Sequence, residues 1–164
     1  MSPVTLGKLR NEDLSVYFFL KGVIGSKVKK IVDGYPYTEI ENGTLEIPSA
    51  SIEHRQTSEE GGELGSAWFR RSWSIDIFAL NDGQRDELAN LVFNALDAAV
   101  PVKDYSGGFN KDTGKSLLGV DLRIIEYMTP EDRMMRPTYG FDLFAKIKYW
   151  RTNITFSTVS TQRG

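Results

Sequence analysis

The stretch AWFRRSWSIDIFAL at 67–80 constrains this chain more than any other. Phe69, Arg71, Trp73, Ile75, Ile77 and Ala79 take its odd positions, and Trp68, Arg70, Ser72, Ser74, Asp76 and Phe78 its even ones. Side chains of a strand alternate between faces, so this pattern predicts a β-strand with one buried face. A helix signal follows at once. Asn81 with Gln84 forms a capping box, and Leu88, Leu91, Val92, Ala95, Leu96 and Ala99 then share one apolar stripe. Asp86 and Glu87 sit in the first turns, where the helix dipole favours negative charge. The helix is expected over about 83–99, with Pro101 just past its end.

The remaining chain is read around this pair. Residues 13–24 fit a short helix capped by Asp13, while Val16–Leu20 fits a short buried strand equally well; Gly22 and Gly25 then break the pattern, so the segment is read as a packed arm. Residues 28–32 and 44–55 look extended, separated by the turn residues Gly34, Pro36 and Asn42-Gly43. Pro48 inside the second run predicts an edge strand or extended arm, because proline donates no ladder bond. Polar, glycine-rich loops are expected at 56–66 and 103–116. A strand over 117–128 would place Val120, Leu122 and Ile124 on one face. A long strand over 139–156 would place Tyr139, Phe141, Leu143, Ala145, Ile147 and Tyr149 on its core face, paired antiparallel with 117–128. The expected fold class is α+β: a mainly antiparallel sheet with one main amphipathic helix on one face, an N-terminal arm or short helix, and long loops. A single domain over 1–164 is expected, with arm and extended segments at 1–46 and the sheet–helix core at 67–156.

The bulk numbers narrow the function classes. The 164 residues are 40% hydrophobic and 26% charged, the profile of a soluble globular protein. Lys+Arg is 20 against Asp+Glu 22, a net charge of -2, without the basic excess that supplies affinity in strong DNA binders. There is no cysteine, so disulfides and thiolate chemistry are absent, and the single histidine, His54, rules out a multi-histidine metal centre. The run Val16–Leu20 is far short of the roughly 20 apolar residues of a membrane span, and the start MSPVTLGKLR lacks the apolar region of a signal peptide.

No catalytic, cofactor or metal site emerges. Gly114-Lys115-Ser116 resembles the end of a P-loop, but Phe109 stands where the first glycine is needed and the run that follows reads as a strand. His54 reads as a partly exposed strand residue. Asp82, Asp86 and Glu87 are explained by the helix start. Arg70 and Arg71 mix with Trp68, Phe69 and Trp73, yet neighbours in a strand point to opposite faces and cannot form one basic patch. They are expected to pair with carboxylates or to contact another subunit.

The even positions point to assembly. Trp68 and Phe78 share the second face of the first long strand, and Phe144 and Trp150 that of the last, beside Lys146 and Lys148. One helix covers one face of a sheet, so these aromatics need cover from the arm or from a neighbouring subunit. Trp68, Arg70, Phe78, Phe144 and Trp150 are the candidate interaction residues, with Glu59, Glu60 and Glu63 in the loop at 56–66.

The segment from Ile47 to Ala98 carries a resemblance. Its marks are Ile47-Pro48, Ser51-Ile52-Glu53, Glu63-Leu64-Gly65-Ser66, the strand Arg70-Arg71-x-Trp73-x-Ile75-Asp76-Ile77-Phe78-Ala79, and the helix opening Gly83-Gln84-Arg85-Asp86-Glu87-Leu88-Ala89. It resembles the neck and tail-completion proteins of long-tailed bacteriophages, above all the tail terminators. The resemblance implies a structural virion protein rather than an enzyme. It implies a ring, hexameric in the family, that caps the tail tube, ends its polymerisation and presents a surface to the head–tail connector. DNA would pass through the channel without being read, and assembly would take place in the bacterial cytoplasm. A head–tail adaptor or head-closure protein, another minor tail protein, and a small ligand-binding or enzymatic α+β domain are the alternatives.

Overall fold

A computed structural model describes residues 4–60, 68–96, 99–105, 115–127 and 149–160, of which 4–9, 56, 58–60, 68–69, 115–120 and 125–127 are described by their backbone alone. Among the described residues, three helices and six strands follow in the order α1 (Val4–Ile24), β1 (Lys30–Asp33), α2 (Tyr37–Asn42), β2 (Ser49–Glu60), β3 (Trp68–Ala79), α3 (Asp82–Ala95), β4 (Ala99–Asp104), β5 (Lys115–Tyr127) and β6 (Trp150–Ser160). The strands form one sheet in the order β1-β2-β3-β6-β5-β4. The fold is α+β as expected, but the sheet is mixed: β1 runs parallel to β2, and the other described pairs are antiparallel.

β3 lies between β2 and β6, with Ile75 opposite Ile52 on one side and Ile154 on the other. Its odd positions from Arg71 to Ala79 are buried. They pack with Ala50, Ile52, Val100, Val102, Leu122, Ile154 and Phe156 from the neighbouring strands and with α1 and α3, so both long helices cover the same face. The expected single covering helix is therefore corrected to two. Glu12, Val16, Leu20 and Ile24 of α1 recur every four residues and are all buried, which makes the supposed arm a core helix. Gly25 ends it. A Cβ there would clash with the Lys21 carbonyl oxygen, to which the Gly25 N–H donates at 2.8 Å.

The capping box is present at α3. Asn81 Oδ1 accepts from the Gln84 N–H, while Gln84 Oε1 accepts from the Leu80 N–H, both at 2.8 Å. The helix ends at Ala95 rather than near 99, because Val100 and Val102 alternate with exposed Pro101 and Lys103 and enter the sheet as β4. Pro101 thus lies within an edge strand instead of following a helix. α1 guards that edge: Ser15 Oγ accepts from the Lys103 N–H and Asn11 Oδ1 from the Tyr105 N–H, both at 2.9 Å. Two further readings are corrected. Residues 56–60 belong to β2, in register with β3 as far as Glu60 opposite Trp68. Pro48, after a cis peptide bond, precedes β2, which is an inner strand at 49–52.

A candidate assembly surface on the second sheet face

On the helix side, Arg71 is the one arginine among the odd positions of β3. Its Nη1 donates to Glu12 Oε1 at 3.1 Å and its Nη2 to Asp13 Oδ1 at 2.6 Å. Its guanidinium lies 4.6 Å from the centre of the Trp73 ring. Trp73 Nε1 donates to Thr158 Oγ1 at 3.1 Å. Arg71 therefore pairs with carboxylates of its own chain. Next to it, at the β-bulge between His54 and Gln56, exposed His54 shares a 2.7 Å hydrogen bond with Thr57 Oγ1.

The even face of β3 is polar in its middle. Arg151 Nε and Nη2 both donate to Asp76 Oδ1, at 2.9 and 2.6 Å, and Asn153 Nδ2 donates to Asp76 Oδ1 at 3.0 Å and to Ser74 Oγ at 2.7 Å. Asp76 and Ser74 are buried, as are Ser49 and Ser51, whose hydroxyls make no hydrogen bond among the described residues. Burial alone would lower the Arg151 pKa, but the Asp76 carboxylate and its hydrogen bonds outweigh that and raise it. These bonds lock the register of β3 against β6.

At one end of this face the chain covers itself. Phe78 is wholly buried, edge-on to Tyr35 at 5.7 Å and to Tyr149 at 5.3 Å. Of the two covers expected for Phe78, the arm or a neighbouring subunit, neither is needed here: the segment between β1 and β2 folds back over it, with Tyr149 beside it. Tyr35 is pushed up to about 12, first by burial, against the lowering effect of Arg151. Tyr37 packs at a tilt against Tyr35, ring centres 4.6 Å apart, and is itself 72% exposed.

The other candidate interaction residues fall in different places. Trp150 is half-buried opposite Ala79, which puts it on the helix side, while Tyr149 joins Phe78 on the second face. The faces expected for the last strand are therefore exchanged at this point. Arg70 is half-buried on the second face, between Ser58 and Val159 in register. Trp68 ends β3 opposite Glu60, and Glu59 lies opposite Phe69. Phe144 and Glu63, with the strand expected at 139–148, lie outside the described residues. Trp68, Arg70, Glu59 and Glu60 thus gather on the outer part of the β2–β3 hairpin, whereas Phe78 and Trp150 sit at the far end of β3.

Sequence reasoning missed the Tyr35–Asp76–Tyr149–Arg151–Asn153 group and the Glu12–Arg71 pair. The second had a signal: the four-residue spacing of Glu12 with Val16, Leu20 and Ile24 puts a carboxylate in an apolar stripe, which requires a buried cation.

Among the described residues no group of three or more His, Asp or Glu side chains could hold a metal ion, and no helix is long and apolar enough to cross a membrane. The sequence matches no family model and no curated protein.

Proposed function

We propose that this chain is a tail terminator-like neck protein of a long-tailed bacteriophage. Copies close into a ring, hexameric as in the family it resembles, which caps the tail tube, ends its polymerisation and joins it to the head connector, while DNA passes through unread. The protein works within the virion, without catalytic chemistry, after assembly in the host cytoplasm.

One observation carries the need for partners. β1 stops opposite Ile52, yet β2 continues to Glu60. From Gln56 to Glu60 no described strand lies on its outer side, so β2 runs past β1 with that edge unpaired among the described strands. Such an edge is a template for pairing, and closure into a ring covers it. The resembling segment also takes a coherent form: its strand is the central β3, and its helix opening is the capped start of α3.

The test is tube growth in vitro. Purified protein added to polymerising tail tube protein should bind tube ends and fix their length. Unchanged growth, with binding to the portal instead, would contradict the terminator assignment and favour the adaptor.

A further inference from the structure

We infer that His54 is a pH-sensitive latch: its neutral imidazole holds the β-bulge of β2 to the buried Arg71 network, and its protonation releases the bulge. The bulge makes the contact possible. Residues three apart in a regular strand point to opposite faces. Here one residue is added between His54 and Gln56, so His54 opposite Trp73 and Thr57 opposite Arg71 both lie on the helix side. There the imidazole meets the Trp73 ring edge-on, centres 5.3 Å apart, and its Nε2 lies 2.7 Å from Thr57 Oγ1.

The donors around Thr57 set the direction of that bond. Arg71 Nε, which can only donate, gives its hydrogen to the same Thr57 oxygen at 3.3 Å. The Thr57 hydroxyl makes no third hydrogen bond among the described residues. Its own hydrogen therefore goes to His54 Nε2, and the neutral imidazole carries its proton on Nδ1. A protonated imidazole has N–H on both nitrogens. Two cationic donors would then share one hydroxyl oxygen, an arrangement that like charges disfavour.

The charges around His54 agree with this direction. From β3 comes Arg71, joined to it through Thr57. The carboxylates of Glu12 and Asp13 from α1 are bound to the Arg71 Nη atoms, away from the Nε that faces Thr57. On β2 itself, Glu53 stands opposite Ser74 on the second face, and Arg55 is the exposed residue of the bulge. Arginine stays charged at every working pH, so His54 is the member of the chain Glu12–Arg71–Thr57–His54 that titrates near neutrality. The latch is complete above the ordinary histidine range, about pH 6.5, and is lost as pH falls through it. β2 continues past the bulge to Glu60, so the latch governs the root of the outer hairpin. It belongs to a single chain and holds whether or not copies close into a hexamer.

His54 is the one histidine of the chain, so nitrogen NMR of the full protein reads it without overlap. At pH 8 the protein should show a protonated Nδ1 and a bare Nε2, the reverse of the form that free histidine favours. Thr57→Val should return His54 to the common form and raise its titration midpoint. Thr57→Ser, which keeps the hydroxyl, should behave as the unaltered protein and separates loss of the bond from loss of the fold. Amide exchange at 55–58, corrected for the intrinsic effect of pH, should quicken several-fold between pH 7.5 and 5.5 in the unaltered protein and stay level in Thr57→Val. A proton on Nε2 at pH 8, a midpoint that Thr57→Val leaves in place, or exchange that ignores pH in the unaltered protein would each overturn the latch.

Discussion

Arg71 of β3 and Glu12 of α1 meet at 3.1 Å with side-chain exposures of only 3% and 2%, a buried ion pair between residues far apart in sequence. It fastens the first helix to the central strand. Removing one partner strands the other charge in the core, which costs about 3–5 kcal/mol, whereas replacing both by apolar groups is often neutral. Arg71→Ala should therefore lower the urea-unfolding free energy by about that range, and Arg71→Met with Glu12→Leu should recover most of the loss. Asp13, bound at 2.6 Å but 38% exposed, should matter less: Asp13→Ala is expected to cost about 1 kcal/mol or below.

Gly25 allows a sharper test of how α1 ends. A methyl group there would clash with the Lys21 carbonyl oxygen, which cannot move without breaking its hydrogen bond from the Gly25 N–H. Gly25→Ala should lower stability by more than about 1 kcal/mol, although alanine is the better helix former. Gly22→Ala, with nothing within 4 Å of its Cβ, should raise it slightly, and thermal unfolding of the two variants should separate in opposite directions.

The α3 cap is open to direct measurement. Asn81 Oδ1 satisfies the Gln84 N–H at an exposed helix start, so Asn81→Ala should cost about 1 kcal/mol and Asn81→Asp little. Denaturant midpoints of the three proteins should fall in that order.

Alkaline pH should loosen the second face. Tyr35 has a folded pKa near 12 against 10.0 for the free group. A raised folded pKa means that the folded chain holds the proton more tightly, so the stability it contributes is complete below pH 10 and is lost as pH climbs towards 12. Tyr105 is also raised by burial and adds to the same trend. Tyr35→Phe should flatten the fall in stability above pH 10 and remove a late-titrating component from the ultraviolet phenolate titration. Loss of a component titrating near 10.0, the free-group value, would instead place Tyr35 in solvent.

The elements legible in the sequence were those whose pattern is local. The alternation of 67–80 and the Asn81–Gln84 cap involve neighbours only, and both appear as β3 and α3. β4 was hidden because Ala99 continues the helical stripe, while its β-branched Val100 and Val102 declare themselves only opposite β5. α1 was mistaken for an arm because Glu12 and Ser15 interrupt its apolar face, and their partners Arg71 and Lys103 are remote in sequence. The candidate surface was misjudged at Phe78 for the same reason. Period-two reasoning placed it on the second face correctly, but that Tyr35 and Tyr149 close over it is a tertiary fact.

The outer hairpin offers a second view of assembly. Glu59 and Glu60 lie where β2 runs beyond β1, far from the packed end of the face. Glu59→Lys with Glu60→Lys should weaken ring formation or tube binding while the protein keeps its circular-dichroism spectrum and its cooperative unfolding.

The ring itself is tested most directly by electron microscopy of the purified protein together with native mass spectrometry. The account predicts closed, six-fold rings with a central channel and masses in multiples of six chains. A monodisperse monomer at every concentration, in the presence of tube protein as well as alone, would contradict it.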